Sequence, residues 1–334
     1  MTVQEIERAC DNMQPPHFRR HDSETPELSL RGRFFPYGFP IEVKTNSSVV
    51  LELFAEEWEK FGQQHDTEPI SVEVYVVEGG SNECPPVPSY RITPPLYFAV
   101  ADADNYSFVD FQRKKVHICL SEAALSHRLY VRYCILGTPM ACIATHYVTP
   151  LHAGCVALDG CGVLLCGDSG AGKSTLSYAC ARKGWTYISD DGSFLVNGKK
   201  DRTITGNCHQ VRLRPAAAEH FQEIEGLKVM PRAAGKPSVE LPTANYPHLH
   251  CENATRVDYI VFLNRHSDGP SELVPYRKDV ARYYMRQVLY GMPETLATQY
   301  EEIERLLTVE VFEMRYRELD WAIDRLRMLV QEGR

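Results

Sequence analysis

Nine consecutive residues constrain this chain more than any other stretch: Gly167-Asp168-Ser169-Gly170-Ala171-Gly172-Lys173-Ser174-Thr175. They fit the pattern glycine, four residues, glycine-lysine-serine without a gap. Glycines let the backbone curl until successive N–H groups face inward as an anion cradle. The helix expected after the loop adds the positive end of its dipole. Lys173 has the reach for the β/γ-phosphates of a nucleotide, and Ser174 has a hydroxyl to offer Mg²⁺. The flanks suit this reading. Cys161-Gly162-Val163-Leu164-Leu165-Cys166 reads as a short buried strand, and Ser174 to Lys183 as a helix ended by Gly184.

The bulk composition narrows the rest. A length of 334 residues suggests two domains. A net charge of −8 disfavours a nucleic-acid partner. No apolar run approaches the roughly 18–20 residues of a membrane span, and the N-terminus does not read as a signal peptide. The 11 cysteines are odd in number and scattered. Cys155, Cys161 and Cys166 fall in apolar runs, which suits reduced thiols in the cytosol. The expectation is a cytoplasmic protein without a membrane or nucleic-acid partner.

Along the chain we expect an α/β protein with a smaller, mainly β (α+β) N-terminal domain over 1–135 and the loop domain over 136–334. Residues 1–30 read as an arm with a short initial helix. Strands are expected at Leu28–Phe35 and Phe39–Val43, turning at Tyr37-Gly38, and at Ile70–Val77. Val50, Phe54, Trp58 and Phe61 have helical spacing. Three strands follow within Leu96–Leu120, and Ser121 is expected to cap a helix reaching Leu136. In the second domain, His152–Leu158 and Gly162–Cys166 read as strands joined at Asp159-Gly160. Trp185–Ser189 is the next strand, and Asn197-Gly198 suits a hairpin turn. Pro215–Ile224 reads as a short helix, while Lys228–His250 shows no assignable pattern. A strand at Arg256–Asn264 and another at Thr308–Met314 precede a last helix from Leu319 to Val330.

Binding a nucleotide says nothing about the reaction, so the residues facing the phosphates matter. A strand following the loop helix ends at Asp190-Asp191. One carboxylate there suits Mg²⁺, the other a proton from an attacking hydroxyl. Two adjacent acids at a strand end are otherwise a solvated turn. His152 opens the strand before the loop strand, so a hairpin brings it to the same edge. Arg212 and Arg214 alternate along a strand-like run and project to one face, as anion recognition requires. Arg265, at the end of its strand, is a weaker candidate.

These residues together resemble the catalytic domain of the HPr kinase/phosphorylase family. The resemblance rests on His152, the run Gly160–Ser174, Arg182-Lys183-Gly184 and Ser189-Asp190-Asp191. It extends more diffusely through Phe312-Glu313-Met314-Arg315-Tyr316 and the final helix, about 140–334 in all. It implies a P-loop kinase fold of the phosphoenolpyruvate carboxykinase-like type. It also implies ATP and Mg²⁺, with the donor held by Gly167 through Thr175; Arg212 and Arg214 are expected to join them on the strength of their own spacing. Asp190 would be the general base, His152 its assistant, and Lys173 the phosphate ligand. Ser174 and Asp191 would sit at the metal, with the two aspartates exchangeable. In place of the family's glycine- and isoleucine-rich signature stands Gln210-Val211-Arg212-Leu213-Arg214-Pro215-Ala216. Glu219 is the candidate substitute for the metal-binding glutamate of that signature, and Lys228, Arg232 and Lys236 are candidates for a basic loop. The expected activity is γ-phosphoryl transfer to a hydroxyl, either a free serine-like small molecule or a protein serine. The alternative is a non-catalytic, ATP-binding regulatory or scaffold protein. Homo-oligomerisation is left open, as is the N-terminal domain's role as substrate or assembly module.

Overall fold

The computed structural model describes residues 26–230, 237–265 and 269–333, with isolated positions Gln4, Arg8, Asp11 and Asn12 before them. The side chains of residues 133–135 are also outside the description. The initial helix and the positions Arg232, Lys236 and Asp268 fall on or among residues that are not described. The chain divides into two compact units, Met1–His146 and Tyr147–Arg334. Among the described residues no helix is long and apolar enough to cross a membrane.

The first unit is built on one seven-stranded sheet. Its elements are β1 (Leu30–Phe34), β2 (Ile41–Thr45), α1 (Ser48–Trp58), β3 (Ile70–Val77), β4 (Ser89–Thr93), β5 (Leu96–Val100), β6 (Tyr106–Asp110), β7 (Lys115–Ser121) and α2 (Arg128–His146). The sheet order is β1-β2-β3-β7-β6-β5-β4, parallel across β2-β3-β7 and antiparallel elsewhere. α1 is the crossover that lets β2 and β3 run parallel. It buries Val50, Leu53, Phe54 and Trp58, a stripe at helical spacing. β4 escapes the sequence reading because it is an exposed edge strand without apolar alternation. Ser121 ends β7, and its hydroxyl accepts the Ala124 N–H of a 3₁₀ turn at Ala123–Ser126. The α-helix starts only at Arg128 and runs on through Pro139, which removes just its own N–H donor.

The second unit contains β8 (Val148–Leu151), β9 (Ala153–Leu158), β10 (Cys161–Cys166), α3 (Lys173–Arg182), β11 (Thr186–Ser189), β12 (Ser193–Val196), β13 (Thr203–Gly206), β14 (Gln210–Leu213), β15 (Val229–Met230), β16 (Ser238–Pro242), β17 (His250–Cys251), β18 (Ala254–Arg265), β19 (Glu272–Pro275), α4 (Lys278–Arg286), α5 (Pro293–Leu306), β20 (Glu310–Tyr316) and α6 (Leu319–Glu332). Ten strands form one mixed sheet, in the order β17-β11-β9-β10-β18-β13-β12-β8, with β20 alongside β18 and β19. β10 is parallel to β18, and β18 to β20. β9 lies antiparallel between β10 and β11. The hairpin joining β9 to β10 turns at Asp159-Gly160, with φ of 51° and 78°, as a two-residue turn demands. β10 is buried along nearly its whole length, as befits a strand covered on both faces. One apolar cluster joins the sheet to α3 and α6, and another joins it to α4 and α5. The chain is therefore α/β, with helices on both faces of the sheet.

A second, three-stranded sheet, β14-β16-β15, accounts for part of the stretch that shows no pattern in sequence. The helix expected at Pro215–Ile224 is two 3₁₀ turns, Pro215–Glu219 and Gln222–Ile224.

The packing fixes one glycine. A Cβ on Gly154 would stand 2.9 Å from the Asp190 backbone oxygen and 2.5 Å from the Ser177 hydroxyl. Gly154→Ala should therefore push β11 away from β9 and destabilise the protein by about 1–3 kcal/mol, the usual cost of overpacking. An unchanged urea-unfolding midpoint would contradict this packing.

Candidate functional site

Strand register assembles the site. Ala153 pairs with Cys166, so His152, one residue earlier, stands beside Gly167 at the start of the loop. On the other side of β9, Ser189 pairs with Cys155, and the chain continues through Asp190 and Asp191 toward the same edge. β10, β18 and β20 are parallel and end there too. The loop thus lies at the carboxyl ends of parallel strands, where open α/β sheets bind ligands.

The loop has the backbone its glycines permit. Gly167, Gly170 and Gly172 have φ of 144°, 102° and 100°, values costly for a residue with a Cβ. At Gly172 a Cβ would also come within 2.5 Å of the Tyr316 hydroxyl. α3 begins at Lys173, so its first N–H groups face the loop's concavity. Ser174 and Thr175 occupy that first turn.

Lys173 is the centre of the cluster. Only 5% of it is exposed. Its ammonium donates to Gly167 O at 2.7 Å, Asp168 O at 3.3 Å and His152 Nε2 at 3.0 Å. The nearest carboxylate oxygen, Asp191 Oδ1, is 3.6 Å away. Burial lowers the lysine's pKa and Asp191 opposes that shift. Because Nε2 of His152 accepts from an ammonium, its proton belongs on Nδ1. Nδ1 lies 3.4 Å from Asp191 Oδ1. Burial, aided by Lys173, holds the imidazole below its ordinary pKa, against the pull of Asp191. The result is a chain from ammonium through neutral imidazole to carboxylate.

The two aspartates have different surroundings. Asp191 is half-exposed and belongs to this chain of groups. Asp190 is 8% exposed, and its Oδ2 accepts the backbone N–H of Arg212 at 2.9 Å. Burial raises the Asp190 pKa to about 6, with Asp191 adding to the rise and the Arg212 N–H opposing it. Neighbouring residues at a strand end point opposite ways, so one carboxylate faces the loop and the other ties β11 to β14.

The arginines also separate. Arg214 donates to the Ser169 hydroxyl at 2.9 Å and so stands at the loop. Arg212 instead pairs with Glu240 of β16 at 3.3 Å. Glu219 is exposed on its 3₁₀ turn. Among the described residues no group of three or more His, Cys, Asp or Glu side chains is placed to hold a metal. A magnesium ion carried in on phosphates needs only one or two protein ligands.

Two tyrosines outside the sequence-derived set touch the loop. Tyr284 of α4 donates its hydroxyl to Gly167 O and accepts from Gly167 N–H at 3.2 Å. Tyr316 donates to Ala171 O at 3.2 Å. The run Tyr283-Tyr284-Met285 reads in sequence only as helix packing. Nothing in it signals a contact 117 residues away.

The Asp190 shift carries a testable sign. Its folded pKa of about 6 lies above the ordinary 3.8. The native state therefore holds more protons than the unfolded chain between those values. Stability contributed by protonated Asp190 is full below about pH 4 and is lost as pH rises through about 6. Asp190→Asn, whose amide oxygen still accepts from Arg212, should gain on the wild type by on the order of 1–3 kcal/mol across that window. Parallel stability–pH curves from urea unfolding would contradict the buried placement of Asp190.

Comparison with known proteins finds likenesses in the second unit. Residues 145–232 match the model of the HPr serine kinase C-terminal domain. The chain is 34% identical over 80 residues to an HPr kinase/phosphorylase of Limosilactobacillus reuteri, covering 24% of this chain and 23% of the relative. It is 29% identical over 143 residues to one of Lactobacillus johnsonii, covering 38% and 41%. The chain thus spans less than half the length of these relatives. A solved HPr(Ser) kinase/phosphatase from Coxiella burnetii aligns over 55% of this chain and 99% of its own, at 16% identity and a TM-score of 0.29. That score supports no argument about the fold. The sequence matches make the segment around the loop HPr-kinase-like.

Proposed function

We propose that the second unit is an ATP-dependent phosphotransferase domain of the phosphoenolpyruvate carboxykinase-like P-loop type, transferring phosphate to a hydroxyl. The observation that carries this reading is the Lys173–His152–Asp191 chain, set at the mouth of an open phosphate loop. A bare nucleotide holder needs the loop and the lysine. It does not need a neutral histidine and a half-exposed carboxylate aligned on that lysine.

The residues fit the donor. The loop glycines leave room that a Cβ would fill, and Lys173 sits among carbonyl oxygens it can exchange for phosphate oxygens. Bound MgATP supplies the transferable γ-phosphoryl group and a divalent charge. In this reading Ser174 would ligate the metal, and Arg214, which donates to the Ser169 hydroxyl, would neutralise phosphate charge from the loop rim. His152, protonated on Nδ1, orients Asp191. Asp191 then takes the proton of the attacking hydroxyl. This moves the role of base from Asp190 to Asp191. Asp190, buried on Arg212 N–H, holds β14 and with it Arg214.

For the acceptor we put forward a protein serine, because the matched relatives are named as HPr kinases. The first unit is a candidate module for substrate or assembly. The nine described cysteines are all free, which suits a reducing, cytoplasmic setting.

Asp191→Asn should leave MgATP affinity within a few-fold and lower phosphate transfer from ATP to HPr by roughly 10²-fold or more. Asp190→Asn should cost much less. Wild-type turnover in Asp191→Asn would sink the assignment and favour an ATP-binding regulator. A dead Asp190→Asn beside an active Asp191→Asn would return the base to Asp190.

A further inference from the structure

Two side chains from different elements donate to the carbonyl of Gly167. Lys173 Nζ reaches it at 2.7 Å, and the Tyr284 hydroxyl reaches it from α4. The same hydroxyl oxygen accepts the Gly167 N–H at 3.2 Å. Gly167 needs these partners. It is buried, and it lies one residue past Cys166, the last residue of β10 paired to β9 and β18. The sheet therefore offers its N–H and C=O no ladder bond, and a buried backbone group without a partner is costly.

The phenol is held in place independently of the loop. α4 is anchored through Ala281 and Met285, both buried. The Tyr284 ring meets Phe262 edge to face, centroids 5.2 Å apart, and Phe262 stacks on Tyr276 at 4.6 Å. Phe262 in turn pairs in register with Cys166, so the sheet that ends at Gly167 also fixes the ring. Burial pushes the Tyr284 pKa up to about 12, so the hydroxyl keeps its proton and remains a donor.

Lys173 has three acceptors to give up when phosphate oxygens take its ammonium. Asp168 O then keeps the Ala171 N–H, at 3.0 Å. His152 Nε2 belongs to a ring that solvent reaches, its side chain 34% exposed. Gly167 O is left with Tyr284 alone. We propose that Tyr284 is a positioning residue for the phosphoryl donor: it holds the Gly167 carbonyl while Lys173 withdraws to the phosphates, and so lowers the cost of nucleotide entry. A tyrosine that only pinned the loop would matter equally with and without the lysine. The inference rests on the donor-binding reading above and deepens it, by naming the residue that frees the lysine to move.

The test pairs Tyr284→Phe with Lys173→Met in a double-mutant cycle, read by urea unfolding of the nucleotide-free protein. With Lys173 present, Tyr284→Phe leaves Gly167 O one donor. In the Lys173→Met background it leaves none. There the same substitution should raise the unfolding equilibrium constant by a further ~10-fold, the scale of one orphaned buried acceptor. Tyr316→Phe is the control, because that hydroxyl holds Ala171 O, outside the lysine's set. Its effect should be the same in both backgrounds. Calorimetric titration should show Tyr284→Phe binding MgATP ~10-fold more weakly than the wild type. In protein carrying ¹³C-carbonyl glycine, saturating MgATP should move the Gly167 resonance further upfield in Tyr284→Phe than in the wild type, as the last donor leaves. Equal effects of Tyr284→Phe in the two backgrounds would overturn the proposal. So would wild-type MgATP affinity in Tyr284→Phe, or matched carbonyl shifts. A wild type that binds no MgATP would overturn the donor-binding reading and this proposal with it, whereas tight binding without coupling overturns the proposal alone. Should the double variant not fold, the titration and the carbonyl shift decide.

Discussion

Lys173 is a buried cation whose carboxylate partner, Asp191 Oδ1 at 3.6 Å, stands beyond hydrogen-bond distance. Its ammonium is held by two loop carbonyls and a histidine nitrogen, with Asp191 just beyond. Such an arrangement is costly for an ion removed from water. It becomes favourable once an anion enters the loop. The rest of the second unit serves this geometry. The left-handed glycines open the loop, α3 aims its N–H groups into it, and two tyrosines from other elements pin its first and last peptides. β9 and β11 deliver His152 and Asp191 from the far side. The same burial that lowers the pKa of Lys173 keeps His152 neutral, so the imidazole can accept from one neighbour and face the other with its proton.

The loop, His152 and the aspartate pair were legible in sequence because each is a local signal. A glycine pattern, a strand start and a strand end can be read from short windows. The hairpin at Asp159-Gly160 then converts spacing into proximity. Which aspartate faces the phosphates was not legible. Side chains on a strand alternate, and the phase of β11 is set by its pairing with β9, not by its own four residues. The arginines show the same limit. Alternation put Arg212 and Arg214 on one face, but Glu240 takes Arg212, and it belongs to a strand that had no readable pattern. The loop contacts of Tyr284 and Tyr316 were invisible for a related reason. Their hydroxyls matter through contacts more than a hundred residues apart, while their neighbours in sequence spell ordinary packing.

The fold was legible to a similar depth. Buried alternating strands such as β3 and the amphipathic α1 and α6 announce themselves, because their apolar residues repeat with the period of the element. Exposed β4 does not, since an edge strand need not bury either face. The 3₁₀ turns at Pro215–Ile224 carry helical composition but are held by the close approach of Phe221 to Tyr178, ring centroids 4.8 Å apart. Tertiary packing overrides local propensity there.

The account depends on Lys173 leaving the loop carbonyls and His152 when phosphate arrives. ¹⁵N NMR of histidine-labelled protein reads this directly at His152. In the free protein the imidazole should be neutral at pH 7, with its proton on Nδ1. Saturating MgATP should shift the Nε2 resonance as the ammonium withdraws, and Lys173→Met should show the withdrawn signature without nucleotide. A His152 resonance that titrates as an exposed imidazole, or that ignores saturating MgATP, would contradict the account.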